Sequence, residues 1–163
     1  MLTYAGGIVA GMWWYNGTYL SYAVVVNSAV TASSITAKAY AGGITGLLQN
    51  SYINNSLVQK TDVKAVSESN IATSAGIASR VKGTYNVSRS YSNASLESSG
   101  GEGSYKAGIH YASKSQVTTG DKNFFVSETA GTDKAYVASG NANYAGEDCA
   151  LHLVSYGVNK LTI

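Results

Sequence analysis

Proline occurs nowhere in this sequence, and cysteine only once, at Cys149. Without proline, nothing of that kind interrupts the hydrogen-bond ladder of a central strand. With a single thiol, no intrachain disulfide forms and no all-cysteine metal site can be assembled. Charge is equally sparse: Asp, Glu, Lys and Arg make up 12% of the residues, well short of an ordinary domain. The 11 basic and 9 acidic residues leave a net charge of +2, and the basic ones are scattered along the chain. That pattern suits neither a phosphate-tracking surface nor an anionic membrane, so no nucleic-acid partner is expected. Long hydrophobic runs are also missing. The apolar stretch from Ala5 to Trp14 is broken by Gly6, Gly7 and Gly11 and is too short to span a bilayer. No basic segment precedes it as in a signal peptide, and no membrane insertion is expected.

The residues that carry chemistry are few. His110 and His152 are the only histidines, with no H-E-x-x-H and no paired Cys/His spacing, so no metal and no cofactor are expected. His110 reads as a side chain on a strand face. No G-x-S-x-G elbow marks a nucleophilic serine. Gly100-Gly101-Glu102-Gly103 lacks the Lys-Ser/Thr of a phosphate loop. The acids are Asp62, Glu68, Glu97, Glu102, Asp121, Glu128, Asp133, Glu147 and Asp148. A glycan-cleaving site needs two carboxylates about 5–10 Å apart with separated pKa values. Glu97 and Glu102 flank what reads as a loop tip, and the neighbours Glu147 and Asp148 point to opposite faces of a strand. No catalytic residue is assigned, and the chain is not expected to be an enzyme.

What the chain does have is tyrosine, 13 against two phenylalanines, and a repeat. Tyr4-Ala5-Gly6-Gly7-Ile8 returns as Tyr40-Ala41-Gly42-Gly43-Ile44, then in shorter form as Ala75-Gly76-Ile77 and Ala107-Gly108-Ile109. Counted from Ala to Ala, the intervals are 36, 34 and 32 residues. After each anchor come turn residues (Asn16-Gly17-Thr18, Gln49-Asn50-Ser51, Lys82-Gly83-Thr84) and then short runs of β-branched and aromatic residues. No window carries a sustained helical stripe, and only Leu47-Leu48 and Ala150 to Val154 suggest a helical turn. Units of this length cannot bury an apolar face alone, but stacked copies can. The expected fold is therefore an all-β, right-handed parallel β-solenoid of about four imperfect repeats of 32–36 residues, with under roughly 10% helix. Residues 1–143 would form the solenoid and 144–163 a capping or assembly segment with Cys149 buried. Gly7, Gly43, Gly76 and Gly108 would turn the chain at one height in every coil. Ile8, Ile44, Ile77 and Ile109 would form one interior column. The fourth unit departs from this pattern at Asn123-Phe124-Phe125-Val126, where small residues are expected.

The anchors with Asn16-Gly17-Thr18 and Asn50-Ser51-Tyr52-Ile53 resemble the GLUG repeats of bacterial surface proteins, over residues 4–110. Such repeats occur in adhesins and in the non-catalytic regions of IgA-protease-like proteins, which implies a surface or secreted location and a binding or spacing role. Trp13-Trp14-Tyr15 is the candidate ligand platform, since three consecutive aromatics cannot all face a core and Tyr and Trp rings suit stacking on a sugar or protein. Tyr19 and Tyr22, with Tyr52, Tyr85 and Tyr91, would extend it as a ladder. The expected partner is a glycan or a host or cell-surface protein. Two rivals remain at this point: a virion tail spike or fibre component, which would be trimeric, and a polysaccharide-degrading β-helix.

Overall fold

The computed structural model describes residues 1–13, 17–84, 86–112, 123–132, 136–138 and 143–144. Trp14, Tyr15, Tyr85, Cys149 and residues 145–163 lie outside these, as does most of the expected cap.

The chain winds through three full coils and starts a fourth. The first holds β1 (Leu2–Gly6), β2 (Val9–Trp13), β3 (Tyr19–Ser21), β4 (Val24–Val26) and β5 (Ala29–Ser34). In the second come β6 (Lys38–Gly42), β7 (Thr45–Gln49), β8 (Tyr52–Asn54) and the long β9 (Leu57–Ser67). The third repeats this as β10 (Ile71–Ala75), β11 (Ala78–Lys82), β12 (Asn86–Ser88) and β13 (Tyr91–Gly100). The fourth opens with β14 (Gly103–Ala107) and β15 (His110–Ala112) and continues in β16 (Phe124–Phe125). Equivalent strands pair in parallel to make four sheets: A is β1-β6-β10-β14, B is β2-β7-β11-β15, C is β3-β8-β12 and D is β4-β9-β13-β16, with β5 also on β9. The protein is a parallel β-solenoid. Leu47 and Leu48 lie in β7 rather than in a helical turn, because stacking in sheet B gives their backbone partners above and below.

Every corner of a coil recurs at the same height. Gly17, Asn50 and Gly83 all have positive φ at the corner between sheets B and C. At the next corner, Tyr22, Asn55 and Arg89 do the same. There, side chains also run along the stack inside the turn. Ser56 Oγ accepts from the Ala23 amide, Ser90 Oγ from the Ser56 amide, and Asn123 Oδ1 from the Ser90 amide. Asn123 therefore continues a register begun three coils earlier, which the sequence read as a departure. Phe125 follows it into the core with no exposed surface, in register with Ser92.

The anchors behave as expected with two corrections, the register of the third and the exposure of Ile8. Gly7, Gly43, Gly76 and Gly108 stack, and a Cβ on any of the first three would run into the carbonyl oxygen of the next glycine. Gly108 instead lies against the Phe125 ring. Ala75 pairs with Gly42, not Ala41, so the third anchor has replaced its first glycine by alanine rather than lost one. Ile44, Ile77 and Ile109 are fully buried, and the amides of Ile44 and Ile77 each donate to the next coil's isoleucine. Ile8 keeps 47% of its surface exposed because no described coil lies beyond the first.

Sheet A packs against the second half of sheet D as a thin two-layer arm. Small residues on both layers, Ala39, Ala41 and Ala72 facing Val30, Ala32, Val63 and Ala65, bring the backbones close. A short helix, α1 (Ser127–Ala130), lies against β13 and buries Ala130. Sheet B ends in β17 (Tyr136–Ala138), parallel to β15, and β18 (Asn143–Tyr144), antiparallel to β17.

Candidate functional site

Alternation along sheet A sends Ala39 and Ala41 inward, and so turns Lys38 and Tyr40 outward. The same parity in sheet B puts Met12 and Leu48 in the core and Gly11, Trp13, Leu47, Gln49, Arg80 and Lys82 outside. Sheets A and B meet at the Gly-Gly corner, and their outer faces form the two walls of a groove of about 370 Å³. Leu2 and Tyr4 supply one wall, and Trp13, Leu47, Gln49, Arg80 and Lys82 the other.

Tyr4, which lines the groove, belongs to a cluster of tyrosines at the corner. Tyr4 and Tyr40 stack at 5.5 Å between ring centroids. The third coil places Thr73 in that column, and Tyr111 from sheet B contacts both Tyr40 at 6.4 Å and Tyr105 at 5.4 Å. Burial raises the pKa of Tyr40 and of Tyr111, the second further raised by the neighbouring phenols, so the hydroxyls stay protonated at any ordinary pH.

Arg80 lies across this column. Its guanidinium sits 5.3 Å from the Tyr40 ring centre and donates from Nη1 to the Tyr4 hydroxyl at 2.7 Å, two coils away. Arg80 takes the outward position of Leu47, and the ladder to the fourth coil shifts beside it, where Ser79 and Arg80 face Tyr111 alone between the pairs Ala78–His110 and Val81–Ala112. On the same wall, Trp13 folds back over Gly11, where a Cβ would collide with the indole six-membered ring. In the next coil Leu47 holds the position of Gly11. The missing side chain thus lets Trp13 lie flat while 61% of it remains exposed.

The three described platform residues, Trp13, Tyr19 and Tyr22, do not form one surface. Trp13 belongs to the groove, while Tyr19 stands on sheet C, 68% exposed and stacked on Tyr52 at 4.7 Å. Tyr22 is 77% exposed at the corner after sheet C, with φ of 57°. Trp14 and Tyr15 lie outside the described residues. In the column of Tyr19 and Tyr52 the third coil sets Asn86, and Tyr91 is buried in register with Leu57, while Tyr85 lies outside the described residues. His110 stands on β15 and is fully buried, and burial pushes its pKa down to about 3.

Among the described residues, no three His, Cys, Asp or Glu side chains gather as a metal site, and no helix is long and apolar enough to cross a membrane. The described carboxylates are exposed and away from the groove lining: Asp62 and Glu97 on sheet D, Glu68 and Glu102 at turns between sheets D and A, Glu128 on α1. Glu97 pairs with Lys64 at 2.7 Å. Sequence reading took Tyr4 and Tyr40 as parts of an anchor and missed Arg80, although Tyr preceding the inward Ala of Tyr-Ala-Gly-Gly-Ile signalled an outward ring. Comparison with protein-family models, with curated proteins and with solved structures finds no match for the chain.

Proposed function

We propose that this chain is a non-enzymatic segment of a surface or secreted protein, and that it binds glycan along the groove between sheets A and B. The observation that carries the reading is Trp13, laid flat over Gly11 and left 61% exposed beside the tyrosines of the corner. An aromatic face held flat and open to solvent suits the apolar face of a sugar ring, and neighbouring amide and guanidinium groups serve its hydroxyls. Rigid strands hold these groups without the ordering cost of a loop. The described acids lie on other surfaces, which favours binding over hydrolysis by a carboxylate pair.

The test is a polysaccharide panel read in two ways, by calorimetry for binding and by a reducing-end assay for cleavage. The expected result is binding to at least one glycan with no new reducing ends, and a loss of about tenfold or more in affinity in Trp13→Ala. New reducing ends, or affinity indifferent to Trp13, would refute the reading.

A further inference from the structure

We infer that the glycan taken by the groove is anionic, with its carboxylate or sulfate on the end of the Arg80 side chain; this rests on the groove being a glycan site. Two cations, Arg80 and Lys82, line the groove, and none of the described carboxylates does. The described acids lie elsewhere, Asp62, Glu68, Glu97 and Glu102 on the arm and its tip and Glu128 on α1.

Arg80 is also prepared for an anion. The Tyr4 hydroxyl takes one of its donors at 2.7 Å and the Tyr40 ring supports the guanidinium plane, so the side chain is ordered before a ligand arrives. Its other donors keep the fork geometry that matches a carboxylate or sulfate. No ion pair neutralises it among the described residues, whereas Lys64 is already matched with Glu97. Lys82, exposed at the position next to Gln49 in the neighbouring coil, adds a second positive charge on the same wall. Two cations beside rings on a wall of modest length suit a sugar polymer with one charge per residue. A nucleic-acid strand asks for a longer run of Lys and Arg along its phosphates.

The experiment compares polygalacturonate with the same polymer after reduction of its carboxyl groups, by calorimetry at low and at 0.5 M salt, with chondroitin sulfate as the sulfated arm. The expected result is at least about tenfold tighter binding of the charged polymers at low salt, the order of one hydrogen bond to a charged group. That preference should shrink in Arg80→Gln and in Lys82→Gln, and with salt. Lys82 is exposed, so its variant keeps the test decisive if Arg80→Gln disturbs the corner. Gly11→Ala, which pushes the indole outward, should weaken charged and reduced polymers alike. Equal affinity for polygalacturonate and its reduced form overturns the charge inference and leaves the groove reading standing. No binding to polygalacturonate or chondroitin sulfate overturns the charge inference, and the groove reading falls with it where the whole glycan panel also fails to bind. Polyglutamate or single-stranded DNA binding as tightly as polygalacturonate, or a preference unaltered in both cation variants, also overturns the inference.

Discussion

Ile44 and Ile8 hold equivalent positions in the first two coils, yet one has no exposed surface and the other keeps 47%. A neighbour on each side makes the difference. Ile44→Ala should therefore cost on the order of 2–4 kcal/mol by leaving a cavity, and Ile8→Ala roughly half of that or less. Chemical denaturation of the two variants checks this, and equal losses would contradict the register. His110 is held neutral by burial, with its pKa lowered to about 3. The unfolded chain takes up that proton near pH 6.5, so between the two values the unfolded state binds more protons. The contribution is complete above about pH 6.5 and is lost as pH falls toward 3, at up to about 1.4 kcal/mol per pH unit. Denaturation midpoints of the native chain should fall more steeply between pH 6 and 4 than those of His110→Gln; parallel slopes would show that the imidazole is protonated in the fold.

Corners, more than strands, distinguish one coil from the next. Lys60 takes φ of 48° at an exposed bend within β9, as Asn27 does at φ 50° in the coil before. Coil three has no such residue: Asn93 pairs with Gln59 and Ala94 with Thr61, and β13 runs through. A lysine in the left-handed region is strained by its Cβ. Lys60→Gly should raise stability by about 0.5–1 kcal/mol and Lys60→Val should lower it, as thermal melts would show. The Ser56–Ser90–Asn123 ladder is the polar counterpart of this bend. Ser90→Ala removes the acceptor of the Ser56 amide inside a buried corner and should cost about 1–2 kcal/mol.

The first coil has, among the described residues, a neighbouring coil on one side only. Among the described residues, β1 to β5 pair only with the second coil, and Ile8 and Ile35, at 47% and 66% exposure, face outward there. Unpaired strand edges with apolar side chains recruit other chains. The chain should therefore self-associate with rising concentration, by light scattering, and Ile8→Lys with Ile35→Lys should reduce this with little loss of stability. Unchanged association in the double variant would place the contact elsewhere.

The sequence alone determined that the chain is a β-solenoid, because a unit that cannot bury its own face must recur, and the recurring Gly-Ile pair marks one height in each coil. It determined the turns at Asn16-Gly17-Thr18, Gln49-Asn50-Ser51 and Lys82-Gly83-Thr84 as well, through residues that tolerate positive φ. Register was legible to within one residue: Ala75 looked like Ala41 and in fact stands beside Gly42, since only backbone pairing tells a lost glycine from a replaced one. The candidate site was legible only in its single residue Trp13. Which outward faces meet at a concave corner depends on the angle between sheets A and B, and no local pattern encodes that angle. Arg80 reaches Tyr4 across 76 residues of sequence, so the contact exists only once three coils are stacked.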